Sequence, residues 1–204
     1  MADKTKDRGF MFSWFSFLSY TTIMAYTPGP INIMSMNNVK NIGLTNSILF
    51  NFGNYVGHFL VMLECLAFSK ILFAILPQIQ FPMKIMGAIY LAYLMIKTII
   101  PSSKELHTKE NKKKNFIVGA LLQLINEKVI LFGLTVMTSY LLPYFKSIPV
   151  LILLCLLMSS IQLTGNICWT LFGTLLEKIF KNQRILLNTI MSTMLLYCII
   201  RLFI

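Results

Sequence analysis

Thr27-Pro28-Gly29-Pro30-Ile31-Asn32 interrupts residues 10–39, an apolar run that otherwise has the length and composition of a membrane helix. Pro28 and Pro30 have no amide hydrogen, so in a continuous helix the carbonyls of Met24 and Tyr26 lose their partners. Gly29 between them lets the backbone turn. The helix must break there. Inside hydrocarbon an unpaired carbonyl costs several kcal/mol, so a break survives where it is buried in protein or lines a wet cavity.

The surrounding chain is that of a membrane protein. Of 204 residues, 56% are hydrophobic and 12% charged, against about 25% charged in a typical soluble domain. The net charge of +11 sits in short segments between apolar runs rather than on one amphipathic face. That distribution fits retention on the cytoplasmic side of a bilayer and excludes nucleic acid as the partner. Lys4, Lys6 and Arg8 before an apolar stretch also suit a signal peptide, but no small-x-small cleavage pattern follows, so the segment is expected to stay. Cys65, Cys155, Cys168 and Cys198 lie in apolar runs with no C-x-x-C pair, which reads as buried small hydrophobes. No metal or cofactor is called for.

A span needs about 20 apolar residues, which predicts an all-α integral membrane domain with six transmembrane helices: 10–39 (interrupted), 44–68, 81–100, 116–142, 149–176 and 185–203. Residues 71–76 read as an interfacial stub before Pro77 and Pro82. With six spans, Lys40, the cluster Lys104 to Lys114, and Lys178, Lys181 and Arg184 fall on one side. Lys70, Lys84, Lys146, Arg201 and the basic N-terminal tail fall on the other. The denser set belongs in the cytoplasm, which leaves both termini outside.

The basic segment 101–115 divides one transporter-like domain, 1–204, into halves 1–100 and 116–204 with three spans each. An odd number per half makes any repeat inverted, a 3+3 architecture common among transporters. Such a repeat requires a second interruption, and Gln123-Leu124-Ile125-Asn126-Glu127-Lys128 supplies one. Pro30 lies ten residues before Lys40 and Asn126 eleven after Asn115. At ~1.5 Å per residue both sit about 15 Å from the boundary, the middle of the hydrocarbon core.

Two interruptions at one depth suggest a binding site. The half-helix from Ile31 offers free amides and a positive dipole end to an anion, while the freed carbonyls favour a cation. A zwitterion suits both, with Thr27 and Asn32 adding a hydroxyl and an amide. The rival reading is a kink used for packing. Asn126, Glu127 and Lys128 are expensive at that depth, and neighbours on a helix point about 100° apart, so each needs a partner elsewhere. Cross-helix structural bonding is their rival role.

In the second span Asn51, Asn54 and His58 share a face, while Asn46, Gly53, Gly57 and Glu64 fall on another. Gly53 and Gly57 form a small-xxx-small pair suited to close helix contact. His58, Glu64 and Glu127 are candidate carriers of a coupling proton, with a satisfied polar role as the alternative. The fifth span offers Gln162, Thr164, Gly165, Asn166 and Trp169, and the third offers Tyr90 with Tyr93.

Together, Thr27-Pro28-Gly29-Pro30-x-Asn32, Gly43-Leu44, Gly53-x-x-x-Gly57, Gly87-Ala88-x-Tyr90-Leu91-x-Tyr93-Leu94 and Gly119-x-x-Leu122-Gln123-Leu124-x-Asn126-x-Lys128 resemble the LysE/RhtB amino-acid exporters over nearly the whole chain. Residues 126–135, 165–169 and 196–201 are similar to the branch that exports cysteine and O-acetylserine. The resemblance implies an inner-membrane exporter of small neutral amino acids driven by the proton gradient. Family roles carry over to the Pro-Gly-Pro turn with Asn32 and to Asn126 with Lys128. Much of the family has proline where this chain has Glu127, a second Asn where Ile31 stands, and an acid where His58 stands.

The expected site therefore comprises Thr27, Pro28, Gly29, Pro30, Asn32, Asn126, Lys128, Asn166 and Tyr90. The expected partners are an amino acid, protons and the lipid bilayer, with a homo-oligomer left open. The other classes considered are a membrane-embedded redox or assembly protein, which would want paired cysteines, and an intramembrane enzyme. For the latter His58 and Glu64, on different faces, make a poor nucleophile-activating pair.

Overall fold

The computed structural model describes residues 12–99, 112–180 and 183–203. The N-terminal cations and most of the 101–115 segment lie outside them. Among the described residues all regular structure is helical: α1 (Trp14–Tyr26), α2 (Pro30–Ile99), α3 (Lys112–Leu124), α4 (Glu127–Val136), α5 (Ile148–Ile179) and α6 (Arg184–Arg201). A π-helical turn, Met137–Leu141, continues α4.

Local chemistry explains where these helices start and stop. Ser13 caps α1, its hydroxyl accepting from the Ser16 amide at 3.3 Å. Thr27 at the other end is extended (ψ 132°), as a residue before proline prefers. Pro30 then occupies the first position of α2, where its missing amide hydrogen costs nothing. The interruption after α3 is made without proline. Asn126 is extended (φ −88°, ψ 100°) and its side-chain oxygen accepts from the Lys128 amide at 3.2 Å, an N-cap that starts α4 afresh. The two pieces meet at a 58° bend.

α2 is three helical arms in one run, divided at Gly43 (φ 77°, ψ 165°) and at Phe68 (φ −122°, ψ 21°). At Gly43 the positive φ requires glycine. The third arm differs from the sequence expectation. It passes through Pro77 and Pro82 without ending, so 71–76 is not a separate stub, and its apolar stretch is Ala74–Ile96 rather than 81–100. Each proline removes one hydrogen bond but leaves the flanking turns intact. Lys84 consequently lies within the helix and not in a loop. α3 is already helical at Lys112, the first described residue after 99, within the segment read as a connecting loop.

Among the described residues, Ala74–Ile96 and Ile148–Ile179 are each long and apolar enough to cross a membrane, and α3 with α4 makes a third if the bent pair is one span. The chain is a multi-helix membrane protein.

Its buried apolar residues form two clusters. One joins Phe17 of α1, Met62 and Cys65 of α2, Phe132 of α4 and Leu154 and Met158 of α5. The other joins Ile33 and Met36 of the first α2 arm, Leu91 and Leu94 of the third, and Met191 and Leu195 of α6. Asn32, Asn51, Asn54, His58, Gln123 and Asn166 are also buried. Three cysteines are buried as expected, whereas Cys168 is exposed, its place on α5 facing away from the core.

Glycines bring helices together at backbone distance. A Cβ at Gly53 would stand 2.0 Å from the Phe116 carbonyl oxygen, and one at Gly57 2.4 Å from that of Ala120, both on α3. A Cβ at Gly165 on α5 would stand 2.6 Å from the Ala25 oxygen on α1, and one at Gly173 2.3 Å from the Met36 oxygen on α2. Each contact falls on a helix adjoining one of the breaks.

Candidate functional site

The break after α1 frees four carbonyls, because Thr27 N–H to the Ile23 oxygen (2.9 Å) is the last bond of that helix. Side chains from elsewhere take all four. The Lys128 ammonium donates to Met24 and Thr27, each at 3.1 Å. The Asn32 amide donates to Ala25 and Thr27, each at 2.9 Å. The Trp169 indole donates to Tyr26 at 3.1 Å. Elements α1, α2, α4 and α5 are thereby joined at one point.

This arrangement corrects the sequence reading in one respect. The carbonyls at the break are not vacant: the cation on them is the chain's own Lys128. Its stem passes over Gly29, where an added Cβ would lie 3.2 Å from Nζ and 3.3 Å from Cδ.

A cavity of about 20 Å³ opens beside these groups. Met24 and residues 29–32 form one wall, and Gln123, Asn126 and Lys128 the wall facing it. His58 and Gln162 also line it. The space accommodates about one water and no amino acid. Two buried side-chain atoms of these lining residues, Asn32 Oδ1 and Gln123 Nε2, make no hydrogen bond among the described residues. The opening amides of α2, Ile31 and Asn32, have no carbonyl one turn earlier within that helix. The residues that line the cavity thus carry an unpaired acceptor, an unpaired side-chain donor, the opening amides of a helix and an ammonium.

His58 Nδ1 lies 2.9 Å from Ser159 Oγ. The Ser159 hydroxyl proton is directed to the Cys155 carbonyl (2.9 Å), so the serine oxygen accepts and Nδ1 carries the imidazole proton. Nε2 is left as the acceptor nitrogen of a ring that lines the cavity.

A second cavity, of about 30 Å³, shares Pro30, Ile31 and Asn126 with the first and is bounded by Met83, Gly87 and Tyr90. Glu127 lines it and is turned away from Lys128. Its carboxylate pairs with Lys84 at 3.7 Å and accepts from the Gln80 amide. Glu127 and Lys128 therefore have separate partners, as their positions on the helix require.

The sequence-predicted residues divide accordingly. Gly29, Pro30, Asn32, Asn126 and Lys128 line the first cavity, and Tyr90 lines the second. Thr27 contributes its carbonyl, while its hydroxyl is spent on the Ile23 oxygen at 2.6 Å. Pro28 shapes the turn and is exposed. Asn166 is buried behind Gln162, whose amide donates to it at 3.1 Å. Glu64 is exposed and lines neither cavity. Asn51 is bonded to Ser35 and Thr170, each at 2.8 Å, so of its stripe His58 alone lines the cavity. Lys84 and Gln80 escaped sequence reasoning because the prolines beside them signalled a helix end. Gln123 and Gln162 carried a signal, as amides in apolar runs.

Comparison with known proteins agrees with this architecture. The family described as LysE type translocator matches residues 22–204. The cysteine/O-acetylserine efflux proteins of Escherichia coli strain K12 and of Escherichia coli O157:H7 are each 31% identical over 188 residues, covering 92% of this chain and 96% of theirs. No solved structure matches the chain.

Proposed function

The chain belongs to the LysE family of translocators, and from that premise we propose that it expels cysteine, O-acetylserine or a similarly small neutral amino acid across the bacterial inner membrane in exchange for protons. It is an amino-acid efflux transporter and not an enzyme. The observation that carries the site assignment is the reach of Lys128, from one interrupted helix pair to the carbonyls at the other interruption, 3.1 Å from each.

In this reading the substrate binds between the two breaks. Its carboxylate goes to the opening amides of α2 at Ile31 and Asn32, where the helix dipole favours an anion. Its ammonium goes to the carbonyl end of α1. Asn126 orients it, with Asn166 acting through Gln162. No covalent chemistry is needed, and alternating access delivers the substrate outward. His58 is the favoured proton carrier among His58, Glu64 and Glu127, because it alone lines the first cavity with Lys128.

A 3+3 inverted repeat completes the proposal. It is supported by α1 and α3, each of which ends at a break, at Tyr26 and at Leu124. It is supported also by the reciprocal glycine contacts: α2 against α3 through Gly53 and Gly57, and α5 against α1 through Gly165. The reading keeps 1–204 as one domain of six spans with segment 101–115 in the cytoplasm and both termini outside. A cysteine introduced near Lys113 that reacts only from outside would reverse that orientation.

The test of the function is efflux from vesicles loaded with a panel of amino acids, with and without a pH gradient. Export of cysteine or O-acetylserine that rises with an inward proton gradient is expected. Absence of export across the panel would overturn the assignment.

A further inference from the structure

We propose that Lys128 is a tethered stand-in for the substrate's ammonium. Its side chain holds the cation seat at Met24 and Thr27 while the site is empty, and crosses to the substrate's carboxylate when the substrate's own ammonium takes that seat. The inference rests on the efflux reading above and deepens it, because it makes one lysine the determinant of why the transported molecule must be a zwitterion.

Three observations carry it. First, both hydrogen bonds of the Lys128 ammonium go to main-chain carbonyls, at 3.1 Å each. Among the described residues no carboxylate neutralises it there: the adjacent Glu127 is turned into the second cavity and held by Lys84 and Gln80. A cation at such depth wants an anion, and the cavity beside it has none to offer. Second, Asn32 lines that cavity and is 2% exposed, and its buried Oδ1 has no partner among the described residues, beside the opening amides of α2. The polar surroundings of an amino-acid backbone are present, and the ligand that would use them is larger than the space. Third, the lysine stem lies directly over Gly29, where an added Cβ would stand 3.2 Å from Nζ and 3.3 Å from Cδ, so the seat has room for this arm because position 29 carries no side chain.

The exchange balances charge at every stage. In the empty state one ammonium sits on the carbonyls. In the loaded state one ammonium, the substrate's, sits on them, and the lysine and the carboxylate neutralise each other. A ligand with only an amine meets an occupied seat. A ligand with only a carboxylate draws Lys128 away and strands the Met24 carbonyl, a cost that a complete amino acid avoids.

The test uses the full chain in reconstituted vesicles and reads inhibition of cysteine exchange by two half-ligands, cysteamine (amine and thiol) and 3-mercaptopropionate (carboxylate and thiol). Each alone should compete about tenfold or more weakly than cysteine, and the two together should inhibit more than their separate effects predict. In Lys128→Met the order should change: cysteamine should gain on cysteine by about tenfold or more, and 3-mercaptopropionate should lose. If cysteamine alone competes as well as cysteine against the natural chain, or if Lys128→Met leaves the cysteamine-to-cysteine ratio unchanged, the stand-in role is overturned while the efflux assignment stands. If Lys128→Met is not recovered in vesicles, the paired half-ligands on the natural chain decide alone. Absence of any cysteine exchange would instead overturn the efflux reading itself.

Discussion

Asn32 Nδ2 donates at 2.9 Å to the carbonyl of Ala25, seven residues earlier and on the far side of a helix break. The same amide nitrogen serves Thr27. One side chain therefore satisfies two carbonyls that the broken helix leaves without their usual amide partners. Asn32→Ala should insert but lose export by about tenfold or more, since an unsatisfied buried carbonyl costs about 1–3 kcal/mol and the break loses its shape. Vesicle efflux together with membrane abundance checks this. Unchanged efflux at equal abundance would remove Asn32 from the site.

Glu127 and Lys84 join the N-terminus of α4 to the third arm of α2. The pair is part-buried, with 24% and 10% of the two side chains exposed, so stranding one charge costs less than the about 3–5 kcal/mol of a fully buried pair, and removing both strands none. Lys84→Met should melt below the natural chain in detergent, and Lys84→Met with Glu127→Gln should recover part of the loss. A double variant no more stable than Lys84→Met would show the pair to be uncoupled.

His58 lines the cavity with Nε2 as its acceptor nitrogen, because Ser159 fixes the proton on Nδ1. His58→Gln should therefore preserve exchange at equal pH on the two sides while abolishing the response of efflux to an imposed pH gradient. Full retention of that response would pass the proton to another group.

Gly53 and Gly57 touch α3 through backbone atoms, with 2.0 and 2.4 Å left for a Cβ. Gly53→Ala should destabilise by about 1–3 kcal/mol or more, the range for overpacking a filled contact. Gly87→Ala, whose Cβ would meet only Leu202 Cδ1 at 3.6 Å, should be nearly neutral. Gly43→Ala separates conformation from space: no described atom lies within 4 Å, yet φ is +77° with ψ 165°, a region that only glycine occupies readily, so about 1–3 kcal/mol of backbone strain is expected. Thermal melting of the three variants side by side reads these differences.

The first break was legible because proline chemistry is covalent: whatever surrounds Pro28 and Pro30, two amide hydrogens are missing. The position of the second break was legible from Asn126, a strong N-cap residue at a depth where polar side chains are costly. That α3 ends there without proline follows from the same cap. Pro77 and Pro82 misled because a proline removes one bond from a helix, and packing along the remaining length decides whether the helix continues. The occupants of the freed carbonyls were out of reach for another reason. Lys128 and Trp169 arrive from 104 and 143 residues away along the chain, and no local pattern records such a meeting.

The glycine contacts have a mechanical meaning. Interleaved side chains lock two helices in register like gear teeth, so relative motion requires them to disengage. Where Gly53, Gly57, Gly165 and Gly173 lie flat on opposing carbonyls, there are no teeth. At those four points the helices are held backbone to backbone, with the larger side chains packed to either side. The helices beside the two breaks thus keep their distance through glycine, and the hydrogen bonds at Lys128, Asn32 and Trp169 are the pins that hold their angle.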